Sequence, residues 1–286
     1  MSDCSMRFLS RSLKRMRIVP AATLALALTV WGGAPAKAGY LVVNNDEWTF
    51  SNTGFTQSPD AGTFINNITN LFTGDQPGHF LAYSQNFGLT QTSLANAVTG
   101  AGHTWTVSTA GPFTAAALSA YDGVFLAGSL GPTYPDQQVL IDYVQNGGNV
   151  YIGAGTGNLG PVAEAAAWNQ LLALAGLQFE SVYNGITGNA VPVGPHPLLA
   201  GVSSLYFANG SSVLDIAPAD DTGEILFSLN GAGMLALGHF GELPPPSEFT
   251  PPSAIPAPGG VALFGFALAG FALTRRRSVL SRRAAS

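Results

Sequence analysis

The central part of this 286-residue chain contains no lysine and no arginine. All eleven basic residues lie at the two ends: Arg7, Arg11, Lys14, Arg15, Arg17 and Lys37, then Arg275, Arg276, Arg277, Arg282 and Arg283. Fifteen of the sixteen acidic residues fall between these groups, so the body carries a charge of about -15. Such a body forms no Lys or Arg salt bridge and cannot neutralise phosphates, which excludes nucleic acid as a partner.

Cysteine is almost absent as well. The single cysteine, Cys4, precedes the expected signal-cleavage site, so the mature chain has no disulfide, no thiolate metal ligand and no cysteine nucleophile. Charged residues of both signs make up only 9% of the chain, against about a quarter in a typical cytosolic domain. The length allows one domain of about 200 residues in addition to targeting segments.

The N-terminus has the three parts of a secretory signal peptide. A basic region ends at Arg17, an apolar stretch covers residues 18–31, and small residues lead to Ala36 and Ala38. We expect residues 1–38 to pass the secretion translocon and to be removed by signal peptidase before Gly39. The alternative is an uncleaved membrane anchor.

The C-terminus has the pattern of a spacer followed by a membrane anchor. Residues 242–258 are rich in proline and predict an extended spacer, and residues 259–274 are apolar enough to predict a single transmembrane helix. The arginines of the tail, residues 275–286, favour the cytoplasmic side and leave the body outside. Both ends therefore predict an exported protein that is first anchored in the inner membrane.

The sequence IPAPGG at 255–260, between the spacer and the short apolar helix with its arginine cluster, resembles the PEP-CTERM sorting signal of Gram-negative bacteria. The resemblance implies processing by an exosortase-like enzyme and a cell-surface or matrix location linked to extracellular polysaccharide or biofilm. Pro256 and Pro258 match the motif, whereas Ala257 stands where the family usually has glutamate. A plain membrane anchor is the alternative interpretation of this tail.

The body, residues 39–241, alternates short β-rich runs with helical stretches. Strands are predicted at 40–43, 79–83, 104–107, 123–127 and 150–152, and helices at 61–72, 92–98, 114–119, 135–145 and 162–175. A final hairpin is predicted around Asn230-Gly231, between residues 225–229 and 234–237. This order favours an α/β domain with a mostly parallel sheet and an antiparallel edge.

Four segments in this order resemble class I glutamine amidotransferase-like domains, most closely the ThuA-like branch: YDGVFLAG at 121–128, GGNVYIGAG at 147–155, HPLLAGV at 196–202 and LALGH at 235–239. The resemblance implies a flavodoxin-like, doubly wound three-layer fold. In active members a cysteine lies on the turn after a central strand, where this chain has Ala154, or Gly153 if the register shifts by one residue. Amide hydrolysis by that route is therefore excluded, and we predict no catalytic residue, metal or cofactor.

Open α/β sheets bind ligands beyond the carboxyl ends of their strands. The topology predicts that Asp46, Glu47, Trp48, Ala154 and His239 lie there, where the ionisable groups could hold a divalent cation or sugar hydroxyls, with Trp48 stacking beside them. The alternative is that Asp46 and Glu47 are solvated carboxylates of a loop, and that His239 lies at a strand end with its hydrogen bonds satisfied locally.

These observations favour a non-catalytic surface or matrix protein. The alternatives are a carbohydrate-active enzyme and a carbohydrate-binding or divalent-cation-binding module of the cell envelope.

Overall fold

The computed structural model describes residues 39–128, 136–155 and 157–240. The expected cleavage site at Ala36 and Ala38, the sorting motif Pro256, Ala257 and Pro258, and the predicted apolar helix at 259–274 lie outside these residues. Within the described ranges, none of the helices combines the length and the apolar character needed to cross a bilayer.

Strands and helices alternate in the first half of the domain. The elements are β1 (Gly39–Asn44), α1 (Asn52–Gln57), α2 (Ala61–Thr73), β2 (His79–Ala82), α3 (Phe87–Thr90), α4 (Thr92–Gly100), β3 (Thr104–Val107), α5 (Ala115–Leu118), β4 (Gly123–Ala127), α6 (Gln137–Gln145), β5 (Val150–Gly153) and α7 (Pro161–Leu172). Local chemistry sets several boundaries: α2 stops at Gly74, whose left-handed backbone closes the helix, and α7 starts at Pro161, which has no N–H to lose.

The second half is mostly β-structure. It contains β6 (Leu177–Tyr183), β7 (Thr187–Ala190), β8 (Leu205–Ala208), β9 (Ser211–Asp215), β10 (Gly223–Leu229) and β11 (Ala232–Phe240). The hairpin of β10 and β11 turns at Asn230 and Gly231, as predicted, and both residues have a positive φ. The strands β6 to β9 were not predicted from the sequence.

The main sheet has the order β3-β2-β4-β5-β1-β11-β9-β6, with β10 paired to β11, and β7 pairs with β8 separately. The five strands from β3 to β1 run parallel, and β11, β9, β6 and β10 add an antiparallel part. The predicted mixed α/β class, with a parallel centre and an antiparallel edge, is confirmed. The antiparallel part is wider than an edge strand, because β9 and β6 extend the sheet beyond β11.

Helices cover both faces of this sheet. Successive residues of β1 alternate between the faces: Val42 packs with α2 and α4, whereas Leu41 and Val43 pack with α6 and α7, around the fully buried Trp168. A strand that is buried on both faces needs apolar residues at successive positions, which explains the apolar run in the sequence of β1. The arrangement is compatible with a three-layer fold.

Parallel pairing brings the carboxyl ends of three strands together. Asn44 of β1 and Ala127 of β4 both lie opposite Gly153 of β5. The loops that follow these three strands therefore meet at one edge of the sheet.

Candidate functional site

The candidate site lies where the loops after β1, β4 and β5 meet. The backbone continues the sheet for one residue beyond the strands: the Ala154 N–H donates to the Asn44 carbonyl over 3.1 Å, and the Gly128 N–H donates to the Gly153 carbonyl over 3.0 Å. These bonds fix the positions from which the loop side chains project.

Asp46 is completely buried at the start of the first loop. Its Oδ1 accepts a hydrogen bond from the Trp48 N–H over 2.8 Å and caps the short 3-10 turn Glu47–Phe50, and its Oδ2 accepts from the Ala208 N–H at the end of β8. Burial raises the pKa of Asp46 to about 7, although the backbone donors oppose this, and the neighbouring Glu47 raises it further. Asp46 therefore joins the loop after β1 to β8 and is not a solvated carboxylate.

Glu164, on the first turn of α7, is a second buried acid at this site. Its side chain is 1% exposed, and its Oε2 accepts a hydrogen bond from the Gly155 N–H over 2.6 Å. Burial raises the pKa of Glu164 to about 7, and the charge of Glu47 raises it further. The sequence analysis missed Glu164; the available signal was a single acid in the first turn of a mostly apolar helix, three residues after Pro161.

The Glu47 side chain lies at the same place, beside Gly128. A Cβ atom on Gly128 would lie 3.0 Å from Glu47 Oε2, 3.5 Å from Glu164 Oε1 and 2.8 Å from Asn86 Nδ2. Glu47 is 3% exposed, so both glutamates are buried against the backbone of Gly128. We call Asp46, Glu47 and Glu164 the acidic trio.

The titratable groups nearest to the acidic trio are phenols. Tyr151 is buried beneath the loops, and its hydroxyl accepts a hydrogen bond from Asn44 Nδ2 over 3.0 Å. Burial, and then the charges of Asp46 and Glu47, raise the pKa of Tyr151. Burial, and then the charges of Glu164 and Glu47, raise the pKa of Tyr183 at the end of β6. The described surroundings of the trio thus supply acids and amides but no cationic side chain.

Ala154 occupies the turn after β5, as predicted, and is completely buried. The next residue, Gly155, has a φ of 140°, and a Cβ there would collide with the backbone of Asn45 and Gly210. The turn is therefore packed tightly between two other loops. At position 154 it offers neither a thiol nor a hydroxyl.

His239 does not lie at this edge, so the predicted convergence with Asp46 and Glu47 is wrong. Strand β11 runs antiparallel to β1, and His239 lies opposite Tyr40 near the start of β1. Its nearest acids are Glu224 and Asp221, and burial lowers its pKa despite them. The sequence prediction treated the end of β11 as one of the parallel carboxyl ends, whereas reversal of the strand moves the histidine to the opposite edge.

Trp48 is at the predicted edge. Its side chain is partly exposed and contacts Phe87 edge to face, with ring centroids 4.6 Å apart. In the part of the chain that the structure describes, His, Cys, Asp and Glu side chains form no group of three or more arranged to hold a metal ion. The site therefore combines buried acids with a partly exposed aromatic surface.

Replacing Gly128 by alanine should test the packing of the acidic trio. The φ of Gly128 is 52°, so any Cβ costs about 1–2 kcal/mol in backbone strain. Contact with Asn86 and Glu47 should add roughly 1–3 kcal/mol of overpacking. Gly74→Ala is the matched control, because Gly74 has a φ of 63° and nothing within 4 Å of the new Cβ. Equal losses in urea unfolding of the two variants would contradict this packing.

Comparison of the chain with known proteins gave no match: neither a protein-family model, nor a curated protein, nor a solved structure is similar to it at a significant level. Function is therefore inferred from the residues and the geometry of the site itself.

Proposed function

We propose that this chain is an exported cell-surface or extracellular-matrix protein with a non-catalytic, amidotransferase-like ectodomain. The observation that carries the proposal is the identity and burial of Ala154 on the turn after β5. In the resembling enzymes this turn presents the nucleophilic cysteine, and after Cys4 this chain has no cysteine.

The acids around the turn support a structural role for the loops. Asp46 accepts the Trp48 N–H of its own loop and the Ala208 N–H at the end of β8, and Glu164 accepts the Gly155 N–H of the turn itself. Both oxygens of Asp46 already accept backbone hydrogen bonds, which leaves this carboxylate no free oxygen to accept a proton from a nucleophile or a water molecule. These side chains organise the edge of the sheet.

The proposed fold assignment is a flavodoxin-like, doubly wound domain. Its support is the parallel central sheet with helices on both faces and the predicted positions of β4, β5 and the last strand. A ligand of such a fold would bind beyond the carboxyl ends of the strands, where Trp48 lies.

The proposal that the protein is exported and sorted is based on the sequences of its two ends. The proposed route uses the secretion translocon and signal peptidase, then anchoring in the inner membrane, then an exosortase-like enzyme acting at Pro256, Ala257 and Pro258. The destination is the cell surface or the matrix, with a link to extracellular polysaccharide or biofilm.

Cell fractionation with an epitope-tagged chain tests this route. We expect the body outside the cytoplasm, in a processed form. Replacing Pro256 and Pro258 together by alanine should leave a larger form in the membrane, because the sorting motif is lost. Replacing Pro251 and Pro252, in the same spacer, should leave processing intact. A cytoplasmic body would contradict export, and identical products from the two double variants would favour a plain anchor.

The non-catalytic assignment predicts that the protein releases no ammonia from glutamine. Ala154→Cys restores a thiol at the turn, and we expect this variant to be inactive as well, because position 154 is buried and His239 lies at the opposite edge. A coupled assay of ammonia release measures both proteins. Hydrolysis by the wild-type protein would overturn the proposal.

A second candidate function is carbohydrate binding at the same edge, and the partial exposure of Trp48 favours it. Aromatic rings provide a large, rigid contact surface, and Phe87 holds the indole edge to face. The alternative of a divalent-cation site has less support, since the described side chains form no group arranged for a metal.

Titration calorimetry against a panel of polysaccharides tests this second function. If a glycan binds here, Trp48→Ala should weaken binding by about tenfold or more, which corresponds to about 1.4 kcal/mol. Trp105→Ala is the control, because Trp105 is also partly buried but lies on β3, which β2, β4 and β5 separate from β1. Equal effects of the two substitutions, or no binding by the wild type, would exclude this function.

A further inference from the structure

The acidic trio is an unusual feature of a buried interior. Asp46, Glu47 and Glu164 are at most 3% exposed, and they come from the loop after β1 and from helix α7. The two glutamates meet at Gly128, and charge on Glu47 acts on both of the other acids. Three carboxyl groups thus share one buried region.

Lysine and arginine, which usually pair with buried carboxylates, do not occur in residues 39–274. Among the described residues, the titratable groups whose pKa responds to the charge of the trio are Tyr151 from β5 and Tyr183 from β6, which are also acids. Every further ionisation near the trio therefore adds negative charge.

Backbone hydrogen bonds compensate this charge only in part. Asp46 has donors for both of its oxygens, and Glu164 Oε2 has the Gly155 N–H. No hydrogen bond of standard geometry reaches Glu164 Oε1 within the described residues, although the backbone N–H groups of Gly155 and Gly157 both lower the pKa of Glu164 against the effect of burial. Carboxylates that share a low-dielectric site cannot all ionise at neutral pH, so the cluster retains protons.

We infer that Asp46, Glu47 and Glu164 form a proton-binding centre that retains at least one proton at neutral pH and couples the stability of the domain to acidity. The proton keeps the loop after β1 and the turn at Gly155 packed against Gly128. When this proton is lost at higher pH, the ionised carboxylates repel each other, and the repulsion weakens these contacts. This inference is independent of the proposed function.

The direction of the coupling follows from the pKa values. The pKa of Asp46 rises from 3.8 to about 7 on folding, and that of Glu164 rises from 4.5 to about 7. Between about pH 4 and pH 7 the folded state therefore binds more protons than the unfolded state. The stabilisation is complete below the unfolded-state values, declines as the pH rises through this window, and is lost above about 7.

Urea unfolding of the full-length chain in a non-ionic detergent, followed by tryptophan fluorescence from pH 5 to pH 8, tests the inference. Between pH 5 and about 6.5 the wild-type folding constant should fall about tenfold per pH unit for each retained proton. In Glu164→Gln this slope should decrease by about one proton. Glu180→Gln, which removes the same charge from β6 outside the trio, should keep the wild-type slope.

Two further results complete the test. Asp46→Asn should flatten the profile in the same way, which provides a second variant if Glu164→Gln fails to fold. Calcium at pH 8 should stabilise the wild type and Glu164→Gln equally. A flat wild-type profile between pH 5 and pH 7, or equal slopes for the wild type and both trio variants, would overturn the inference. Calcium that restores only the wild type would show a cation site in place of the proton centre.

Discussion

The constraint on which the rest of the structure depends is the burial of carboxyl groups in a domain that has no lysine or arginine to pair with them. Backbone N–H groups hold Asp46 and Glu164, so Asp46 connects segments 162 residues apart and Glu164 connects two neighbouring segments, nine residues apart. Asp46 joins the end of β1 to β8, and Glu164 joins α7 to the turn after β5. The loops at the carboxyl edge therefore form one interlocked layer.

This layer encloses the turn after β5. In the amidotransferase-like fold that we propose, active members carry their nucleophile on this turn. Here Ala154 fills that position, and Gly155 is enclosed by the backbone of Asn45 and Gly210. Both oxygens of Asp46 and the Oε2 atom of Glu164 accept hydrogen bonds from the backbone. Trp48 remains as the partly exposed aromatic surface at which a ligand could stack.

The parallel half of the domain could be predicted from sequence because its signals are local. Strands β3 and β4 have the predicted bounds, and α2 ends at Thr73, one residue after its predicted end, with Gly74 as its cap. Strands β6 to β9 were missed, since their pairing depends on partners far along the chain and β7 has little apolar character.

Contacts between distant parts of the chain also limited the prediction of the site. Asp46, Glu47 and Trp48 were identified from their position after β1, whereas Glu164 comes from a helix that meets them only through tertiary packing, and the antiparallel direction of β11 carries His239 to the other edge.

Infrared spectroscopy shows directly whether a proton, in place of a lysine or arginine side chain, neutralises the buried carboxyl groups. The C=O stretch of a protonated carboxyl group is separate from the bands of an ionised carboxylate, so a spectrum of the native protein at pH 7 reports the proton itself. The account predicts a protonated-carboxyl band at pH 7 that disappears at about pH 9 and is reduced in Glu164→Gln. A native protein at pH 7 without this band would have all of its carboxyl groups ionised, which would contradict the central claim.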